Sequence, residues 1–350
     1  MISREERDSF ATLVVDWQKE FGRNELPWQN TRDPYRVWLS EIMLQQTQVV
    51  TVKLYFSRFL ARFPNVSSLA AASLDDVLSM WSGLGYYSRA RNLRQCAIDV
   101  ETLHGGIFPQ STEGLESLPG IGRSTAAAIA SLCYGHRVAI LDGNVKRVLT
   151  RVLGFDADLA LASNERSLWQ EATSLLPKAE LFSVMPRYTQ GLMDIGATVC
   201  STKNPRCVDC PLTTFCVAKK EGIPENYPVK TRKIKRSSQS IWLLVARLAD
   251  GSVLLNKRPT PGVWAGLYCV PLYEARVALE EDLAPSQRFK LNDLPVFTHV
   301  LTHKDLHLHP VLLAAPDGLA ALTGGGEWVS ASQWPLLGLP APIRKLLMTT

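Results

Sequence analysis

No uninterrupted apolar stretch in this 350-residue chain approaches the ~20 residues needed to cross a bilayer. Its first residues, MISREERDSF, are charged and lack the apolar core of a secretory leader. A cytoplasmic protein with no membrane partner is expected. A large excess of one charge is also missing. The net charge is +5, from 38 Lys+Arg and 33 Asp+Glu; residues from Ser237 onward hold nine of each, so the preceding part holds 29 against 24 and carries the whole excess. A mildly basic first part suits a phosphate-binding surface without demanding one. The seven cysteines are an odd number, which with no leader fits a disulfide framework poorly. The composition is otherwise that of a globular protein, and the length allows two or three domains.

Four of the cysteines, Cys200, Cys207, Cys210 and Cys216, crowd into seventeen residues as C-x6-C-x2-C-x5-C. Thiolates gathered so closely repel one another unless a metal centre neutralises them. Zinc sites usually combine two short C-x2-4-C pairs, and only Cys207 and Cys210 form one. An all-thiolate [4Fe–4S] cluster uses a compact loop of varied spacing. The spacing favours iron–sulfur, with structural zinc or two disulfides as alternatives.

Residues 5 to about 220 read as helices joined by short loops, at 7–21, 35–47, 50–62, 74–80, 87–103, 113–118, 123–133, 145–153, 164–175 and 180–195. In the clearest, Val145, Val148, Leu149, Val152 and Leu153 repeat at helical spacing, Lys146, Arg147 and Arg151 fill the remaining arc, and Gly154 stands where a terminating glycine belongs. Pro224 and Pro228 are followed by Lys230, Arg232, Lys233, Lys235 and Arg236, which suggests an exposed basic linker. Beyond it, alternating residues flank Asp250-Gly251 and predict a hairpin that opens a separate α+β domain.

Three constellations have chemical meaning. Leu118-Pro-Gly-Ile-Gly-Arg-Ser124 lies between two helical segments; Gly120 and Gly122 permit a tight hairpin whose amides, at the next helix start, suit phosphate, or a plain helix–helix turn. Glu41, Gln45 and Gln48 fall at i, i+4, i+7 on an otherwise apolar helix. Among Trp38, Ile42 and Leu44, the Glu41 carboxyl should hold its proton above the usual ~4.3 and act as a general acid, unless it is an ordinary surface residue. Asp142 in Leu-Asp-Gly-Asn144 is placed to cap the helix after it. Held there ionised, with its pKa depressed, it would form with Glu41 a split carboxylate pair like that of glycoside hydrolysis.

Taken together, LPWQ…DPYRVWLSEIMLQQTQV, GLGYYSRARNL, LPGIGRSTA, LDGNVKRVL, MDIGATVC and the cysteine quartet resemble, in order and over nearly the full length, the helix-hairpin-helix DNA glycosylases of the endonuclease III superfamily, and most closely their adenine-excising members. The resemblance implies a multidomain, mainly α glycosylase core over 1–228 (a six-helix domain at about 32–140, a cluster domain from 1–31 and 141–228), a linker at 229–239 and a Nudix-like α+β domain at 240–350. It implies a monomer that acts in base excision repair on double-stranded DNA containing adenine opposite 8-oxoguanine or guanine, with a structural [4Fe–4S] cluster held by the four cysteines. Glu41 would protonate adenine and Asp142 stabilise the cationic sugar, with Asn144 and Ser124 assisting. Gln46 and Tyr86 would wedge into the duplex. Gly120, Gly122, Lys203 and Arg206 would meet phosphates, Trp28 and Asp194 would line the adenine pocket, and Thr302 and His303 would read the oxidised guanine. Ser124 stands where glycosylase/lyases of the superfamily have a lysine, so Schiff-base chemistry is not expected, although Lys146 is near in the motif; a damaged-pyrimidine glycosylase/lyase and a non-catalytic DNA-binding metal protein are the alternatives. LYEARVALEEDLAP lacks the Glu-rich metal helix of a Nudix hydrolase, so pyrophosphatase activity is not expected. His299, His303, His307 and His309 are read as strand and loop histidines at a DNA interface, with a metal site as the alternative.

Overall fold

The computed structural model describes residues 4–231, 235–314 and 326–350, in two compact units. The first comprises residues 1–70 and 95–233, the second 71–94 and 234–350. Helices α1 to α12 run in chain order as Arg4–Phe21, Pro34–Leu44, Val49–Arg62, Val66–Ala71, Leu74–Trp81, Ser88–His104, Thr112–Glu116, Arg123–Tyr134, Gly143–Leu153, Ala162–Ser174, Leu181–Thr198 and Val217–Lys220. No helix among the described residues is long and apolar enough to cross a membrane.

Local chemistry sets several helix ends. The Asp33 carboxylate accepts from Tyr35 N at 2.9 Å to cap α2, and Pro34 occupies the first helical position. The Asp142 carboxylate accepts from Val145 N at 2.7 Å to cap α9, which Gly154 ends at φ +65. The predicted helix at 35–47 stops earlier. α2 ends at Leu44, Gln46 takes φ +55, and Gln48 becomes the residue before α3, so Glu41, Gln45 and Gln48 form no continuous stripe. The sequence reading also passed over the short α4.

Around α11 the first unit packs closely. A Cβ on Gly191 would lie 2.8 Å from Val14 Cγ1 in α1, and one on Gly196 would lie 2.7 Å from Asn144 Cβ and 3.1 Å from that residue's carbonyl in α9. Between these notches Asp194 has no exposed surface; its carboxylate accepts from Arg23 Nε at 2.7 Å, Arg23 N at 3.0 Å and Gln190 Nε2 at 2.9 Å. Arg151 does not project outward. It is 1% exposed and donates to the carbonyls of Ser201 at 2.6 Å and Thr202 at 3.1 Å and to Cys200 Sγ at 3.3 Å.

The second unit is built on a mixed sheet of β1 Ser237–Arg247, β2 Val253–Lys257, β3 Tyr268–Cys269, β4 Leu272–Tyr273, β5 Leu291–Asp293, β6 Phe297–Val300, β7 Lys304–Ala314 and β8 Glu327–Val329. Its centre is a parallel pair, β1 with β7, in register from Ser237↔Lys304 to Arg247↔Ala314. The predicted hairpin is β1–β2, turning at Gly251 with φ +82. Helices α13 Arg276–Glu281, α14 Pro285–Arg288 and α15 Ala341–Thr349 complete it. Residues 71–94, which the sequence reading assigned to the six-helix domain, make contacts here: Lys257 Nζ pairs with Asp75 at 2.6 Å, Arg91 donates to Ala265 O at 2.7 Å and Ser82 to Leu339 O at 2.9 Å. Of the expected linker, Arg232, Lys233 and Ile234 lie outside the described residues, Thr231 donates to the Asp158 carboxylate, and 237–239 belong to β1.

Gly196→Ala forces backbone against backbone, so it should cost about 1–3 kcal/mol of stability, as overpacked cores do. Urea unfolding measures it; an unchanged midpoint would show that α9 and α11 have room to separate.

Candidate active site

A pocket of about 470 Å³ opens in the first unit between the Trp28–Arg32 segment, α2 and α11. Trp28, buried edge-on against Phe56 at 5.3 Å, lines it with Glu41, Arg187 and Gln190. Burial pushes the Glu41 carboxyl up to about 7, and the nearby Asp142 carboxylate adds to the shift. Protein surrounds this carboxyl, yet a partial opening to the pocket remains, so admitted water moderates the effect. Glu41 makes no side-chain hydrogen bond to the described residues that would hold its anion.

The predicted depression of Asp142 is not found. Burial raises it too, because it outweighs the amides of Val145 and Asn144 and the charges of Arg147 and Lys146 that favour the anion. The pair is still unequal, for these opposing groups act on Asp142 alone. Ser124 Oγ accepts from Leu141 N at 3.0 Å, which ties the start of α8 to the segment that carries Asp142. Asn144 Oδ1 accepts from Arg147, whose guanidinium also donates to Gly196 O at 2.6 Å and Cys200 O at 2.7 Å. Lys146 Nζ is paired with Glu165 at 2.6 Å. Asp194 does not line the pocket. It lies buried in α11, one turn past Gln190, which does. Arg187 and Gln190 were missed in the sequence. Their one signal was a cationic and an amide side chain spaced three apart on one helix.

Between α7 and α8, Gly120 has φ +77, whereas Gly122 has φ −91 and no atom within 4 Å of the place a Cβ would take. The fold therefore does not require glycine at 122; its absent side chain leaves the outer face open to a close approach. Gln46 and Tyr86 are exposed and both hold positive φ, +55 and +48, a costly backbone state for residues with side chains. In the second unit Tyr86 and Thr302 hydroxyls lie 2.8 Å apart, and Thr302 and His303 sit exposed in the β6–β7 turn. His299 and His307 are on β6 and β7, and His309 stacks on Trp242 at 4.4 Å.

Cys200, Cys207, Cys210 and Cys216 line one small pocket beside α9, a cavity of about 20 Å³. None of the seven cysteines is in a disulfide, and no three described His, Cys, Asp or Glu side chains are grouped around a single ion. Four cysteines facing one pocket, with the buried Arg151 cation donating to Cys200 Sγ, are a donor set that suits a multi-iron cluster carrying negative charge. Lys203 and Arg206 are exposed on the same loop.

Two family profiles match the chain: "HhH-GPD superfamily base excision DNA repair protein" over residues 39–172 and "NUDIX domain" over 242–349. An adenine DNA glycosylase of Buchnera aphidicola (subsp. Acyrthosiphon pisum) is 37% identical, with 97% of this chain and 96% of the relative covered. The human adenine DNA glycosylase is 30% identical, with 97% of this chain and 73% of the human one covered. Among solved structures, a thermostable thymine-DNA glycosylase superposes with a TM-score of 0.55 at 26% identity, over 62% of this chain and 98% of its own. The helical unit and the α+β unit are thus both accounted for, and the chain belongs to the adenine DNA glycosylase family.

Proposed function

We propose that the protein is a monofunctional adenine DNA glycosylase that removes adenine opposite 8-oxoguanine or guanine from double-stranded DNA. The observation that carries the reading is Glu41, a carboxyl held near pH 7 at a pocket large enough for an extruded purine. Protonated Glu41 gives its proton to a ring nitrogen of adenine, N7 in this reading. The C1′–N9 electron pair then leaves with the base, and the Glu41 carboxylate that remains takes the proton lost by the attacking water. Asp142, held in place by the α9 amides, faces the positive charge that develops on the sugar, and water adds at C1′ to give an abasic site. Ser124 and Asn144 fix the segment that carries Asp142. No amine stands at position 124, and the Lys146 ammonium is engaged by Glu165, which supports hydrolysis over Schiff-base formation.

In this reading Gln46 and Tyr86 enter the duplex, the open face at Gly122 receives a phosphate, and Lys203 and Arg206 add phosphate contacts. Trp28 stacks with the base, and Asp194 supports its pocket from below. A [4Fe–4S] cluster on the four cysteines would hold their loop in shape. Thr302 and His303 would read the oxidised guanine, with Tyr86 alongside. Two of the acidic groups around α13 are engaged, Glu280 by Arg276 and Asp282 by Tyr273, which supports a reading role for the domain instead of hydrolysis.

Purified protein should release adenine from duplexes bearing 8-oxoguanine·adenine; no release under single-turnover conditions would end the proposal. Glu41→Gln should keep duplex affinity and lose at least ~10²-fold in rate. Because the reactive form is protonated, the wild-type rate should fall as pH rises through about 7. The same raised group contributes stability that is complete below its ordinary value of 4.5 and lost as pH rises through about 7, a loss the Gln variant should not show in thermal melts. The protein should be brown, with iron and sulfide in equal amounts; a colourless, fully folded zinc form would remove the cluster.

A further inference from the structure

Helix α11 begins with a defect. Pro186, inside its second turn, has no N–H, so the Phe182 carbonyl four residues earlier loses its helical donor. The residue before the helix, Glu180, has φ +49 and gives no side-chain cap. This turn nevertheless forms a wall of the base pocket, through Ser183, Pro186 and Arg187. Arg32 supplies what is missing. Its Nη2 donates to the Phe182 carbonyl at 2.8 Å, and its guanidinium carbon lies 3.7 Å from the centroid of the Phe182 ring, which is itself 63% exposed. Behind the turn, Gly135 at φ +69 allows the approach, since a Cβ there would fall 2.6 Å from Phe182 Cα. Arg32 also lines the pocket, in the segment that follows Trp28.

We infer that Arg32 is a positioning residue of the base pocket: it replaces the hydrogen bond that Pro186 removes and so ties the Trp28–Arg32 segment to the first turn of α11. This rests on the pocket being the adenine site. A cation over an aromatic ring is worth little at an exposed position, but a charged donor on an orphaned carbonyl gives direction as well as attraction. Without it, the α11 wall keeps its composition and loses its registry with Glu41, and small misplacements of a bound base are costly in rate.

The test is a double-mutant cycle of Arg32→Met and Pro186→Ala. Alanine restores the backbone N–H and makes Arg32 redundant. Arg32→Met alone should slow single-turnover adenine release about tenfold, leave duplex affinity within about twofold and lower the melting temperature. In the Pro186→Ala background, the same change should leave both rate and melting temperature nearly unaltered. Arg32→Lys, which keeps a donor, should recover part of the rate. Equal effects of Arg32→Met in the two backgrounds, or none in either, would overturn the inference. If the wild type released no adenine, the proposed function would fail instead, while non-additive melting temperatures would still decide whether Arg32 serves the Pro186 carbonyl.

Discussion

The backbone of α11 lies nearer to α1 and α9 than any side chain at Gly191 or Gly196 would allow. That closeness sets the rest of the first unit. It seals Asp194 from water, where the Arg23 pair and Gln190 compensate the charge; a lost partner there would strand a buried carboxylate, a defect that typically costs about 3–5 kcal/mol. It also brings the Gly196 carbonyl within reach of Arg147, which at the same time holds Asn144 and the carbonyl of Cys200. The start of α9 and the cysteine loop are therefore both tied to α11 through Arg147.

Proton placement follows from hydrogen bonding more than from depth. Glu41 and Asp142 are both raised by burial. Only Asp142 sits at a helix start, where amides and two cationic side chains oppose the shift. Glu41 has no comparable support and moves to about 7. The two carboxyls are thus told apart by the groups around them.

Features set by neighbours in sequence were legible before the structure. The Asp142 cap, the glycine stop at 154 and the Asp250-Gly251 turn each depend on a few adjacent residues. The end of α2 was not, because Gln45-Gln46-Thr47 contains no glycine or proline to mark the break and the positive φ at Gln46 is imposed by the surrounding fold. The direction of the Asp142 shift was missed for a related reason: a cap is visible in sequence, whereas the protein packed over it is not. The resemblance put Asp194 in the adenine pocket, and nothing in the sequence shows that its side chain is sealed inside α11, one turn past Gln190. The Arg32–Phe182 contact spans 150 positions, and Pro186 was its one trace in the sequence.

The parallel pairing of β1 with β7 has a consequence for synthesis. Val77, Leu78 and Trp81 are buried in a unit whose central strands are complete only when residue 314 has been made. The ribosome finishes residue 94 roughly two hundred residues earlier, which at about 5–20 residues per second is a delay of about 10–40 s. Through that interval the segment 71–94 exists without the completed unit it belongs to, so a much later part of the chain decides when an early, apolar helix is finally sheltered.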